Sequence, residues 1–284
     1  MRVDAHCHII SNNLETYPQN PLGGKQSKWA AARPVTAEGL LDRMDSNGID
    51  QAVLVQATTN YGYDNSYVVD SARRWPDRFT VVGTVDPVKP GAASWLPKAH
   101  EEGLAGVRLF TAGSTLTGQS NSFVSAESDE FWLTAGKLGV PVCLQLKLDS
   151  ALDELHTVLA SYPEVTVLLD HCGYPDVEAD PAAAAQTVVE LARYPRLFLK
   201  LTHRTLEPLD RLGESAINFL RPVIDAFTAD RIAWGSNCPA AEQPMEELVG
   251  LANDVLDVLS DDEREGILSR TARVLYPSLE VGTR

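Results

Sequence analysis

The chain has 284 residues, 44% of them apolar and 22% charged, with a formal net charge of −15. This is ordinary globular usage, and the length supports a full core. The acidic balance argues against a nucleic-acid or anionic-membrane partner, because either would call for a basic patch.

Read in order, short β-rich apolar runs alternate with longer segments of helical pattern. The runs are VDAHCH (3–8), QAVLVQA (51–57), FTVVGTV (79–85), GVRLF (106–110), PVCLQL (141–146), TVLLDH (166–171), LFLKLT (197–202) and IAWGSN (232–237). Each is nearly continuous in apolar character, as strands covered on both faces are. Helices are expected over 36–47, 63–75, 90–102, 128–138, 149–161, 182–194, 213–227 and 243–258. The first has Thr36 as N-cap, Leu40, Leu41 and Met44 on one face, and Gly48 as its stop. Ser260 caps a last helix through about Val274, with Asp261, Asp262 and Glu263 in its first turn.

Eight strand-then-helix units predict a single-domain α/β fold over 1–284, a (β/α)8 TIM barrel. A doubly wound open sheet would call for a Gly-rich first turn, and VDAHCHII has no G-x-G-x-x-G. Two long loops, about 10–35 and about 111–127, are expected to form lids or substrate walls. The four cysteines, Cys7, Cys143, Cys172 and Cys238, form no Cys-x-x-Cys pair and read as thiols of a reducing cytoplasm. No secretory signal pattern and no run of about 18 apolar residues is present, so a cytoplasmic protein is expected.

On such a barrel the active site stands at the C-terminal strand ends. Those ends carry His6 and His8, Gln56, Arg108, Gln145 and Lys147, His171, Lys200, Thr202 and His203, and Asn237. Arg204 follows directly. Asn60, Tyr61 and Asn65, just after strand 2, could also line a pocket. Polar groups in a barrel mouth destabilise the fold unless a ligand, metal or water completes them, so the ring points to a site. Residues i and i+2 on a strand share a side, so His6 and His8 reach one point. A buried guanidinium needs an anion, and Arg108 is read as facing a substrate carboxylate. Asp170 is the other candidate anion, but strand alternation turns it away from the lumen.

DAHCHI at strand 1, VLVQATTNYGYDNSYVVDSARRWPDRF after strand 2, GVRLF at strand 4, LLDHCG at strand 6 and WGSNCP at strand 8 resemble the amidohydrolase superfamily. Within it they are similar to the branch that includes 2-pyrone-4,6-dicarboxylate lactonase and sugar lactonases. The resemblance spans the whole chain. It implies a (β/α)8 barrel with His6, His8 and His171 around the reaction centre. In the family the strand-8 motif typically ends in Asp; here it is Asn237. An amide cannot take a proton at neutral pH. Two readings stay open: a substituted carboxylate in a barrel that binds without turnover, or a base that lies elsewhere.

Binuclear members of the superfamily carry a Lys or Glu on strand 4 and a His on strand 5, where this chain has Arg108 and Gln145. The expectation is therefore no cofactor, or one divalent metal ion, zinc by preference, on His6, His8 and His171. The expected partner is a small-molecule substrate, with self-association left open. The expected activity is hydrolysis of a lactone of a carboxylated compound. His6, His8, His171 and Asn237 would be the catalytic set, and Arg108, Gln56, Gln145, Lys147, Lys200, His203 and Arg204 would bind substrate. The alternative is a non-oxidative decarboxylase of the same superfamily.

Overall fold

A computed structural model describes residues 1–110 and 123–279. Eight parallel strands follow in chain order around a barrel: β1 (Val3–Cys7), β2 (Gln51–Val55), β3 (Phe79–Thr84), β4 (Leu104–Phe110), β5 (Val142–Gln145), β6 (Val167–Leu169), β7 (Leu197–Thr202) and β8 (Ile232–Gly235). Every expected strand is present, and the fold is the expected (β/α)8 barrel. The loop expected at 111–127 lies outside the described residues up to position 122.

Between β1 and β8 the seam is closed by side-chain and backbone bonds alike. Asp4 Oδ1 accepts from the Ser236 amide at 2.9 Å and the His6 amide at 3.0 Å, and Ser236 Oγ donates to the other carboxylate oxygen. Asn237 N donates to His6 O at 2.7 Å, and His8 N to Cys238 O at 2.8 Å. Gly235 makes this approach feasible, because a Cβ there would lie 2.5 Å from His6 Cβ. The residues that carry the chemistry of β1 and β8 are thus fixed to one another.

Two apolar layers flank the strands. The inner one holds Val3, Ala5, Val53, Val55, Val82, Cys143, Leu168 and Ala233, and Ala272, Leu275, Tyr276 and Leu279 from the C-terminal segment pack with it. The outer layer joins the strands to the surrounding helices. Each fully buried Leu, Val or Phe contributes about 1.5–3 kcal/mol, so the barrel can carry a polar mouth.

Most expected helices appear within a few residues of their predicted ends. Thr36 caps Ala37–Ser46 by accepting from Gly39 N. Ser260 makes a capping box with Glu263 on Asp261–Glu265. The last helix is not uniform: a π turn, Gly266–Arg270, separates it from Thr271–Leu275. Gly266 passes Ala229 so closely that a Cβ would meet it at 2.8 Å. A further helix, His203–Leu212, lies outside the expected ranges.

Candidate active site

A β-bulge decides which side chains of β1 face the axis. Val3 and Ala5 pack in the inner layer, but Cys7 packs in the outer one. The register of β1 against β2 shifts between Asp4 and Cys7. This extra residue turns His6 and His8 inward at the mouth.

The cleft at the C-terminal strand ends is lined by His8, Arg108, Gln145, His171, Arg204 and Asn237, all expected from sequence. Trp29, Ala57, Thr58, Thr59, Phe110, Tyr174 and Ala240 complete it. No Asp or Glu lines it among the described residues. A larger surface groove at the opposite end, around Arg2, Asp50 and Arg264, holds no imidazole or thiol, so the chemistry belongs to the smaller cleft.

The three histidines form one group. The His6 ring centroid is 5.0 Å from that of His8 and 5.2 Å from that of His171. His8 Nδ1 lies 2.7 Å from Val55 O. A carbonyl only accepts, so Nδ1 carries the proton and Nε2 is a bare lone pair. Trp29 stacks on the same ring at 5.2 Å. Burial, with Arg108 adding to it, lowers the His8 pKa to about 4. Burial also pushes His6 and His171 well below the ordinary imidazole range. All three are therefore neutral at neutral pH.

His171 reaches the cleft by leaving the strand. β6 stops at Leu169, and His171, Cys172, Gly173 and Tyr174 all have positive φ. Left-handed non-Gly residues cost about 1–2 kcal/mol each, and such runs concentrate at functional sites. Thr202 Oγ1 holds His171 Nδ1 at 2.7 Å, and Thr205 Oγ1 donates to His171 O at 3.1 Å. Tyr174 sits 4.9 Å from the His171 ring and accepts from Gln145 Nε2 at 3.1 Å. Asn237 also takes a left-handed conformation, φ 59°, and lines the cleft with His8.

Asp170 is the main correction. Leu168 points into the barrel, so two residues on Asp170 does too. Its carboxylate accepts from Arg108 Nε at 2.8 Å and meets Lys200 Nζ at 3.2 Å. Burial alone would raise the Asp170 pKa, but the charges of Lys200 and Arg108 hold it well below the carboxylate range. The buried guanidinium therefore has its anion within the protein: Asp170, the candidate that strand alternation had turned away from the lumen, faces Arg108. Lys200 is fully buried, with Cys143 Sγ 3.3 Å from Nζ, and lies beneath the cleft rather than in it.

The other expected binding residues are not brought together. Gln56 is buried and turned to backbone, donating to Asp64 O while Oε1 accepts from Ala57 N. Lys147 precedes the helix Leu148–Ser161 and does not line the cleft. His203 is buried outside it, with its pKa lowered to about 3, mainly by burial and then by Arg204. Asn65 is committed to the backbone of Thr84. Trp29 and Tyr174 escaped the sequence reading. Tyr174 directly follows LLDHCG, which was a usable signal; Trp29 stands on the short helix Lys28–Ala32, within the segment 10–35 expected as a lid or substrate wall, but was not singled out.

The residues do not fit a divalent cation. Among the described residues no three His, Cys, Asp or Glu side chains converge as a metal site requires. The nearest carboxylate, Asp170, is already held by two cations. The amide of Asn237 is a weak fourth donor. The expectation of zinc on His6, His8 and His171 is therefore not supported by the donor set.

An amidohydrolase family model matches residues 3–278. The chain belongs to the amidohydrolase family. It is 25% identical over 254 residues to an L-fucono-1,5-lactonase of Burkholderia ambifaria, covering 84% of this chain and 81% of that protein. It is 24% identical over 294 residues to a 4-sulfomuconolactone hydrolase of Hydrogenophaga intermedia, covering 98% and 89%. Among solved structures, a Pseudomonas putida protein described as a 2-pyrone-4,6-dicarboxylic acid hydrolase superposes with a TM-score of 0.79 at 21% identity, covering 99% and 98%. The last likeness is one of fold, the same barrel over nearly the whole of both chains.

Proposed function

We propose that the chain hydrolyses a lactone of a small carboxylated compound, by histidine and arginine chemistry without a resident metal. The observation that carries this reading is the acid-free cleft, lined by neutral imidazoles and guanidiniums in an otherwise acidic protein. The three relatives named above, described as hydrolases of lactones or a pyrone, support the cyclic-ester part of this reading.

His8 is the proton acceptor. Its Nδ1 is committed to Val55 O, so Nε2 faces the cleft without a proton and takes one from the attacking water. Asn237 lines the cleft beside the imidazole and does not itself take a proton. The water oxygen bonds to the lactone carbonyl carbon while the Arg108 guanidinium, with His171 donating from Nε2, stabilises the oxyanion. The ring C–O bond then breaks, and the proton on His8 passes to the leaving alkoxide. Atoms balance as lactone plus water giving a hydroxy acid.

The decarboxylase alternative usually relies on a metal in related branches, and this donor set does not favour it. Four buried free thiols support a reducing, cytoplasmic setting; among the described residues no helix is long and apolar enough to cross a membrane. The test is turnover of the purified protein on a panel of five- and six-membered lactones. Ring opening of at least one well above the uncatalysed rate is expected, and hydrolysis of none would overturn the reading.

A further inference from the structure

We infer that Tyr174 is the acid of the reaction: its phenol hydroxyl hydrogen-bonds the ring oxygen of the lactone and gives up its proton as the ring C–O bond breaks. This rests on the lactonase reading above and routes the last proton transfer of that reading through Tyr174.

The backbone points to the phenol first. Tyr174 is left-handed, φ 57° and ψ 55°, at the end of the turn that also carries His171. A glycine takes this conformation without strain, whereas a bulky side chain is strained there. The turn is pinned on two sides. Tyr174 N donates to His171 O at 3.0 Å, and Gly173 packs so tightly that a Cβ would lie 2.5 Å from Leu148 Cγ. The strained turn therefore brings two side chains to the cleft on a rigid element, an imidazole and a phenol with ring centroids 4.9 Å apart.

Hydrogen bonds then set the task of the hydroxyl. Among the described residues, Thr58, Thr59 and Tyr174 bring hydroxyls to the cleft. Thr59 donates to Ser27 Oγ at 2.8 Å, and Thr58 Oγ1 is tied to Thr84 Oγ1 at 2.8 Å and Gln56 O at 3.4 Å. Tyr174 instead accepts, from Gln145 Nε2 at 3.1 Å. That bond orients the phenol oxygen and leaves its own proton to give. Packing against His171 alone would need only a phenylalanine. Burial pushes the phenol up to about 12, against the pull of Arg108 and Arg204 and with Asp170 adding to it. It stays protonated at neutral pH, yet is a far stronger acid than an aliphatic alcohol. The alkoxide expelled from a saturated lactone takes the proton; a phenolate leaving group, with an ordinary pKa of about 10, has little need of it. The Tyr174 phenolate is then reprotonated by the proton that His8 took from water. One water is consumed, and both side chains end as they began.

The test compares lactones that leave as an alkoxide, carboxylated δ-valerolactones, with lactones that leave as a phenolate, carboxylated dihydrocoumarins. Tyr174→Phe keeps the ring and loses only the hydroxyl. It should lower kcat on the first kind about 10²–10⁴-fold and on the second less than about tenfold, with KM little changed for both. Equal losses on the two kinds, as a structural or oxyanion-binding role would give, or a loss confined to KM, would overturn the inference. Should the variant not fold, the wild type decides. Its kcat should vary little with the basicity of the leaving group, and a fall as steep as in the uncatalysed reaction would overturn the inference. If the wild type opens no lactone of either kind, the lactonase reading itself fails and takes the inference with it.

Discussion

Arg108 Nε donates to Asp170 Oδ2 at 2.8 Å inside the barrel mouth, and both side chains are all but sealed from water. This pair, with Lys200 on the other carboxylate oxygen, is the electrostatic floor of the cleft. Removing the carboxylate would leave two buried cations unmatched. Asp170→Asn should therefore destabilise the fold by about 3–5 kcal/mol, read by denaturant unfolding at pH 7. The pH dependence has a definite sign. The folded pKa of Asp170 lies well below the ordinary 3.8, so its stabilisation is complete above that value and is lost as pH falls further. His6, His8 and His171 add an earlier loss. The unfolded chain takes up protons on them as pH drops below 6.5, while the folded chain resists. Wild-type stability should thus fall steadily below pH 6.5, and a stability flat down to pH 4.5 would contradict it.

Asn237 tests where the base lies. Asn tolerates the left-handed backbone at φ 59°, and so does Asp, so Asn237→Asp should fold normally. If Asn237 stands in for a lost catalytic carboxylate, restoring it should raise lactone hydrolysis by about 10²–10⁴-fold. With His8 as the base, kcat/KM should change less than about tenfold. Steady-state kinetics of the two proteins side by side distinguishes the outcomes.

Chelation tests the donor set. Dialysis against a strong chelator should leave both turnover and thermal unfolding unchanged, and elemental analysis before dialysis should find far less than one metal per chain. A metal-dependent loss, restored by zinc, would show that the imidazoles gather on a cation as they do not here.

The barrel was legible because eight apolar runs alternate with capped amphipathic segments, and that pattern depends on short-range periodicity alone. His8, Arg108, Gln145, His171, Arg204 and Asn237 were legible as strand-end polar residues of one such barrel. Asp170 was misread because the alternation was counted from His171, which the sequence continues as strand. The chain actually leaves the strand at Asp170 and reaches His171 through a left-handed turn. Gln56 and Lys200 were assigned to substrate by position, but depth decided otherwise: one is turned to backbone and the other lies below the mouth. Trp29, on the short helix Lys28–Ala32, was not singled out, because its stacking on His8 is a tertiary contact.

The pH dependence of kcat/KM on a lactone substrate tests the assignment of His8 most directly, since it reports ionisations in the free enzyme. The account predicts a plateau through neutral pH, with an acid limb near pH 4 where His8 gains a proton. A limb at 6.5 or above would contradict a buried, neutral His8 as the proton acceptor.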